Sequence, residues 1–148
     1  MENRAFRLTL ALVGGLLSGC NATRAKECNL LTTRINTGVE RVEAFEKERL
    51  AKPEGGPNQT AQAMRQIAVL YREIAQEIRG LELSNKELKA LAEDYQFEVR
   101  SASGAAESLA TALEGKRPEE TMTADKLYAK HLAAQKKVIE RINGLCAR

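Results

Sequence analysis

The sequence predicts an all-α fold, an antiparallel up-down four-helix bundle set behind a short apolar leader. Three observations carry that expectation. Charged residues make up 29% of the chain, and Ala, Leu, Glu, Lys and Arg dominate it, a composition of strong helix formers. Only three Pro interrupt 148 residues, so long helices can run unbroken. Apolar residues recur at steps of three and four in four segments, and glycine- or proline-containing breaks separate these. The length suits a single domain.

The first helix is expected over 25–51. Cys28, Leu31, Ile35, Val39, Val42 and Phe45 follow one face, while Arg34, Glu40, Arg41, Glu43 and Lys47 occupy the other. Glu43 and Lys47 form a favourable i,i+4 pair. Lys52-Pro53-Glu54-Gly55-Gly56-Pro57 then ends the helix. The second helix is expected over 59–79, with a heptad seam of Thr60, Met64, Ile67, Tyr71, Ile74 and Ile78. Gly80 before Leu81 has the pattern of a glycine stop with an apolar contact after it.

The third helix is expected to start at Ser84, because Ser84-Asn85-Lys86-Glu87 fits a capping box. Leu88, Leu91, Tyr95, Val99, Ala102, Ala106, Leu109 and Leu113 continue its stripe, and Gly115 is the candidate stop. Ser101-Ala102-Ser103-Gly104-Ala105-Ala106 would let a neighbouring helix approach closely. Gly104 costs about 1 kcal/mol in a helix interior, so close packing or a bend is expected there. The fourth helix is expected over 122–146, capped by Thr121 or Thr123. Tyr128, Leu132, Gln135, Ile139, Ile142 and Cys146 form its seam, which Val138 and Leu145 widen. Short connections favour antiparallel neighbours. The rival arrangement has three helices with the first merely docked on them.

The leader reads MENRAFRLTLALVGGLLSGC over residues 1–20. Arg4 and Arg7 give it a positive start, diluted by Glu2. Leu8 to Leu17 is apolar but shorter than the roughly 20 residues a membrane-spanning helix needs, and it suits the hydrophobic region of a secretory signal. Leu17, Ser18, Gly19 and Cys20 follow. In these four positions the sequence resembles the signal of bacterial lipoproteins, which ends in Leu, two small residues and a Cys. The resemblance implies cleavage between Gly19 and Cys20, a diacylglyceryl group on the Cys20 thiol and acylation of the new amino group. It divides the chain into a signal peptide (1–19), a lipidated tether (20–27) and a helical domain (28–148). Fully extended, the seven residues from Asn21 to Glu27 would reach about 25 Å at roughly 3.5 Å each.

One acyl chain binds a membrane only marginally, at about 0.8 kcal/mol per methylene, whereas two or three on one residue anchor it stably. In this class of protein an Asp after the lipidated Cys retains the chain at the inner membrane. Asn21 therefore implies the outer membrane, facing the periplasm. Loss of Glu2, Arg4 and Arg7 takes the formal net charge from +3 to +2, and electrostatic attraction to anionic lipid is neither needed nor evident. Two cysteines remain after lipidation, Cys28 and Cys146. In an oxidising compartment an even pair reads as a disulfide, and an up-down bundle brings both to the same end. The alternative is two free buried thiols.

Little in the chain points to catalysis or cofactors. His131 is the one histidine. Paired with Met64 or Met122 it could ligate a haem in a bundle, but there is no second His and no C-x-x-C-H motif, so the expectation is a histidine on a helix flank. A zinc site from two Cys and one His lacks ligands. Glu93, Asp94 and Glu98 lie on the third helix, yet the E-x-x-H motif of di-iron bundles is missing, and they read as a solvated face. Gly55-Gly56 lacks the Lys-Ser or Lys-Thr of a phosphate loop. Asn21-Ala22-Thr23 and Asn58-Gln59-Thr60 match glycosylation sequons by chance. Tyr71, Tyr95 and Tyr128 sit on core seams, with hydroxyls expected near the surface. The even charge balance and 4% aromatics argue against nucleic-acid binding.

The expected function is a non-enzymatic structural or protein-interaction module in the cell envelope, without a cofactor. It would be held on a membrane by lipid on Cys20 and have an envelope protein as partner. The loops around Pro53–Pro57 and Lys116–Glu120, at the end away from the lipid, are the expected contact points. The alternative is a lipoprotein that holds an apolar small molecule between its helices.

Overall fold

A computed structural model describes residues 19–50 and 56–148. Four helices account for nearly all of them: α1 (Gly19–Leu50), α2 (Pro57–Arg79), α3 (Lys86–Glu114) and α4 (Pro118–Cys146). The fold is an all-α up-down bundle. The seams lie largely where the apolar spacing puts them. Leu31, Ile35, Ile74, Ile78, Leu88, Val99 and Ile142 are almost wholly enclosed. Small residues widen the contacts: Ala61, Ala68 and Ala75 on α2, and Ala92, Ala102, Ala105, Ala106 and Ala110 on α3. α3 lies between α2 and α4 and packs closely on both, while α1 leans mainly on α2 and meets α4 far less. The docked-helix arrangement describes that asymmetry, but α1 still completes the core through Cys28, Leu31, Ile35 and Val42.

Several helix ends differ from expectation. α1 starts at Gly19, so the 20–27 segment is helix rather than an extended tether, and it spans about 10 Å at 1.5 Å per residue. Thr60 is exposed, and Ala61 takes the first buried position of α2. Asn85, not Ser84, caps α3: its side-chain oxygen accepts from the Leu88 N–H at 2.9 Å. α4 starts at Pro118, earlier than Thr121 or Thr123. Proline suits a first helical turn because its missing N–H would have no partner there. The two threonine hydroxyls instead donate back to the carbonyls of Arg117 and Glu119. This start shortens the expected 116–120 loop to the link between α3 and α4. The other expected loop lies mostly at residues outside the described set.

The glycine stops are also displaced. Gly80 and Gly115 both keep right-handed backbone at their helix ends. After α3 it is Lys116 that turns left-handed, with φ 51°. Its N–H donates to Leu113 and the Arg117 N–H donates to Ala112, which closes the last turn as a Schellman motif.

Candidate functional site at the disulfide end

The start of α1, the α2–α3 link, the start of α3 and the finish of α4 meet at one end of the bundle. Cys28 falls on the buried stripe of α1 and Cys146 on the seam of α4, with Cα atoms 5.7 Å apart, and their sulfurs are bonded. Of the two readings open in the sequence, the structure contains the disulfide. The bridge ties together residues 118 apart in sequence and closes the seam where α1 and α4 have few other contacts.

Glu27, next to Cys28, is buried on the same face, 7% exposed. One carboxylate oxygen accepts from the Ser84 hydroxyl and from the Ser84 N–H at 2.9 Å, and the other accepts from the Asn85 N–H at 3.0 Å. This carboxylate stands at the positive end of the α3 dipole. The Ser84 hydroxyl bond, then the Asn85 and Ser84 N–H bonds, hold its pKa below the ordinary 4.5, against the opposing effect of burial. These contacts explain why the expected capping box does not form. Ser84 is committed to α1, and Asn85 takes over the cap. The sequence carries no local sign of this, because Glu27 and Ser84 are 57 residues apart.

Beside the disulfide, a surface groove of about 420 Å³ runs between α3 and α4. Ala90, Leu91, Gly144 and Leu145 line it, with Glu87, Arg141 and Arg148 among them. Arg141 also reaches Asp94 at 2.8 Å. The backbone of Gly19 and Cys20 forms the first turn of α1 at this end. Residues 1–18, on which the rest of the expected signal falls, lie outside the described residues.

No protein-family model, no curated protein and no solved structure matches the chain.

The remaining candidates are spread along the bundle. His131 sits on a helix flank as expected, with Nδ1 2.7 Å from the Glu98 carboxylate. Glu93 and Asp94 are exposed, in line with the solvated-face expectation, and Asp94 pairs there with exposed Arg141. Glu98 is half-buried against His131 across the α3–α4 seam, which corrects that expectation for this residue alone. Met122 is exposed and Met64 is buried on α2. Among the described residues no group of three or more His, Cys, Asp or Glu is placed to hold a metal. Among the described residues no helix is long and apolar enough to cross a membrane.

The tyrosines are deeper than expected. Tyr71 and Tyr128 meet edge to face, with ring centroids 6.3 Å apart and hydroxyls 3.5 Å apart. Such a pair contributes about 0.5–1.5 kcal/mol beyond its buried area. Burial pushes the Tyr128 phenol up to about 12, and the charge of half-buried Glu46 adds to that. Burial raises Tyr71 further. Tyr95 is wholly enclosed, and its hydroxyl has no protein partner. Its apolar seam position follows from the spacing, but the depth of its hydroxyl does not.

Proposed function

We propose that this chain is a bacterial envelope lipoprotein whose helical bundle is a non-enzymatic structural or interaction module held on a membrane by lipid on Cys20. The observation that carries the reading is Leu17-Ser18-Gly19-Cys20, placed directly after a positive start and a short apolar stretch. Cleavage before Cys20 would make this residue both the new N-terminus and the lipid anchor. Two further features support the reading. A bonded Cys28–Cys146 pair suits an exported protein, because reducing compartments keep thiols free. Among the described residues the one histidine is paired with Glu98 on a neighbouring helix, and Asp94 with Arg141. With Asn21 after the anchor, the outer membrane facing the periplasm is the proposed site. The end of the bundle away from Cys20 is then free for an envelope protein partner.

Membrane fractionation of cells carrying the wild-type chain and Cys20→Ser tests this. The wild type is expected as a processed product in the membrane fraction, and Cys20→Ser as an unprocessed precursor. Equal processing of the two chains would contradict the reading.

The second reading, an apolar ligand held between helices, draws on the Tyr95 hydroxyl and the Gln135 amide nitrogen. Both are buried without protein hydrogen-bond partners. A bound molecule that survives gentle extraction in native mass spectrometry, and is lost in Tyr95→Phe, would favour it.

A further inference from the structure

The near-neutral total charge hides an uneven distribution along the bundle. On its flanks, arginines meet carboxylates of neighbouring helices. Arg34 and Arg41 reach Glu77, Arg65 reaches Glu107 and Glu114, and Arg141 reaches Asp94. The disulfide end is different. Arg24, Lys26, Arg79, Lys86, Lys89 and Arg148 all lie on its terminal turns, exposed except for half-buried Arg24. None of the six is in an ion pair among the described residues, and Arg148 bonds only the Gly144 carbonyl. The acids of this end are fewer. Glu82 and Glu87 are exposed, and Glu27 is consumed at the start of α3. At the opposite end the signs are balanced: Glu46, Glu48, Glu114, Glu119, Glu120 and Asp125 stand among Lys47, Arg49, Arg65, Lys116, Arg117 and Lys126. Folding has thus gathered unpaired positive charge at the end where α1 begins.

We infer that this basic end is a docking surface for the anionic phospholipid headgroups of the membrane that holds Cys20. The inference rests on the lipid-anchor reading and adds an orientation to it. Cys20 lies only two helical turns from Glu27, about 10 Å along the α1 axis. A lipid there holds this end of the bundle about 10 Å from the anchor, close to the Debye length of about 8 Å at physiological salt, so its long Lys and Arg side chains are attracted to anionic headgroups. The groove beside Arg148 opens on the same end. The bundle therefore stands with its disulfide end on the headgroups and its mixed-charge end away from them.

The test uses full-length protein processed in cells, extracted from membranes and reconstituted into vesicles. One set is phosphatidylcholine alone and the other carries one-third phosphatidylglycerol. Energy transfer to a headgroup dye is read from a label at Ala90→Cys, near the disulfide, or at Asp125→Cys, at the far end. The near-to-far transfer ratio is expected to rise about twofold on the anionic vesicles and to fall back in high salt. The triple variant Lys86→Gln, Lys89→Gln, Arg148→Gln changes only exposed side chains, and its folding is checked by helicity and an intact disulfide. It is expected to lose the rise. If mass spectrometry shows Cys20 acylated but the ratio is the same on both vesicle types, or the triple variant keeps the rise, this inference is overturned and the anchor reading stands. If Cys20 carries no lipid, both are overturned.

Discussion

Gly38 and Gly104 are both helical glycines, and the structure gives them opposite roles. A Cβ on Gly38 would lie 2.8 Å from Ile74 Cγ1, inside the enclosed contact of α1 with α2. Gly38→Ala is expected to lower stability by about 1–3 kcal/mol through overpacking, read as a lower urea midpoint. Gly104 faces open space, with nothing within 4 Å of its Cβ position. Gly104→Ala is therefore expected to raise stability by about 1 kcal/mol, the helix-propensity difference. The run Ser101–Ala106 correctly marked a close approach in the sequence. Ala102, Ser103 and Ala106 are buried there, and the Ser103 hydroxyl donates to the Ala68 carbonyl at 2.8 Å. The run could not show which of its residues faces the neighbour. Gly38 carries no such signal, because a single glycine among larger residues has no pattern, and its role depends on where a second helix crosses.

Among the elements, α3 depends on a contact from outside itself. Its capping network comprises Asn85 and Glu27, so α1 helps to fix where α3 begins. The Glu27 pKa is lowered on folding. Its contribution is thus fully present above the ordinary value and is lost as pH falls through the lowered folded value. Glu27→Gln is expected to lower stability by about 1–2 kcal/mol at neutral pH, the difference between a charge-assisted and a neutral hydrogen-bond set. In acid below the carboxylate range the two chains should converge. Urea titrations of both chains across that range check the sign, and a gap that widens in acid would contradict it. The four helices and their faces were legible from spacing because each buried stripe repeats many times along its own helix. Helix ends were less legible. Pro118 and Asn85 are as good starting residues as Thr121 and Ser84, and the tertiary contact of Glu27 decided one of these choices.

At the scale of the whole molecule, the disulfide compensates for the loose α1–α4 seam. The paired change Cys28→Ser with Cys146→Ser is expected to cost about 2–5 kcal/mol, measured as a fall in the urea midpoint. An unchanged midpoint would mean that α1 needs no staple. This pairing was legible because two helical stripes and an up-down order bring both cysteines to one end. The sorting of charge between the two ends was not legible, since it appears only once distant segments are set side by side. The proposed role depends on Cys20, and the intact mass of the chain extracted from membranes tests it most directly. The expected species is a polypeptide that begins at Cys20 and carries a diacylglyceryl group with an acylated amino terminus. A chain that retains Met1, or one with an unmodified Cys20 thiol, would contradict it.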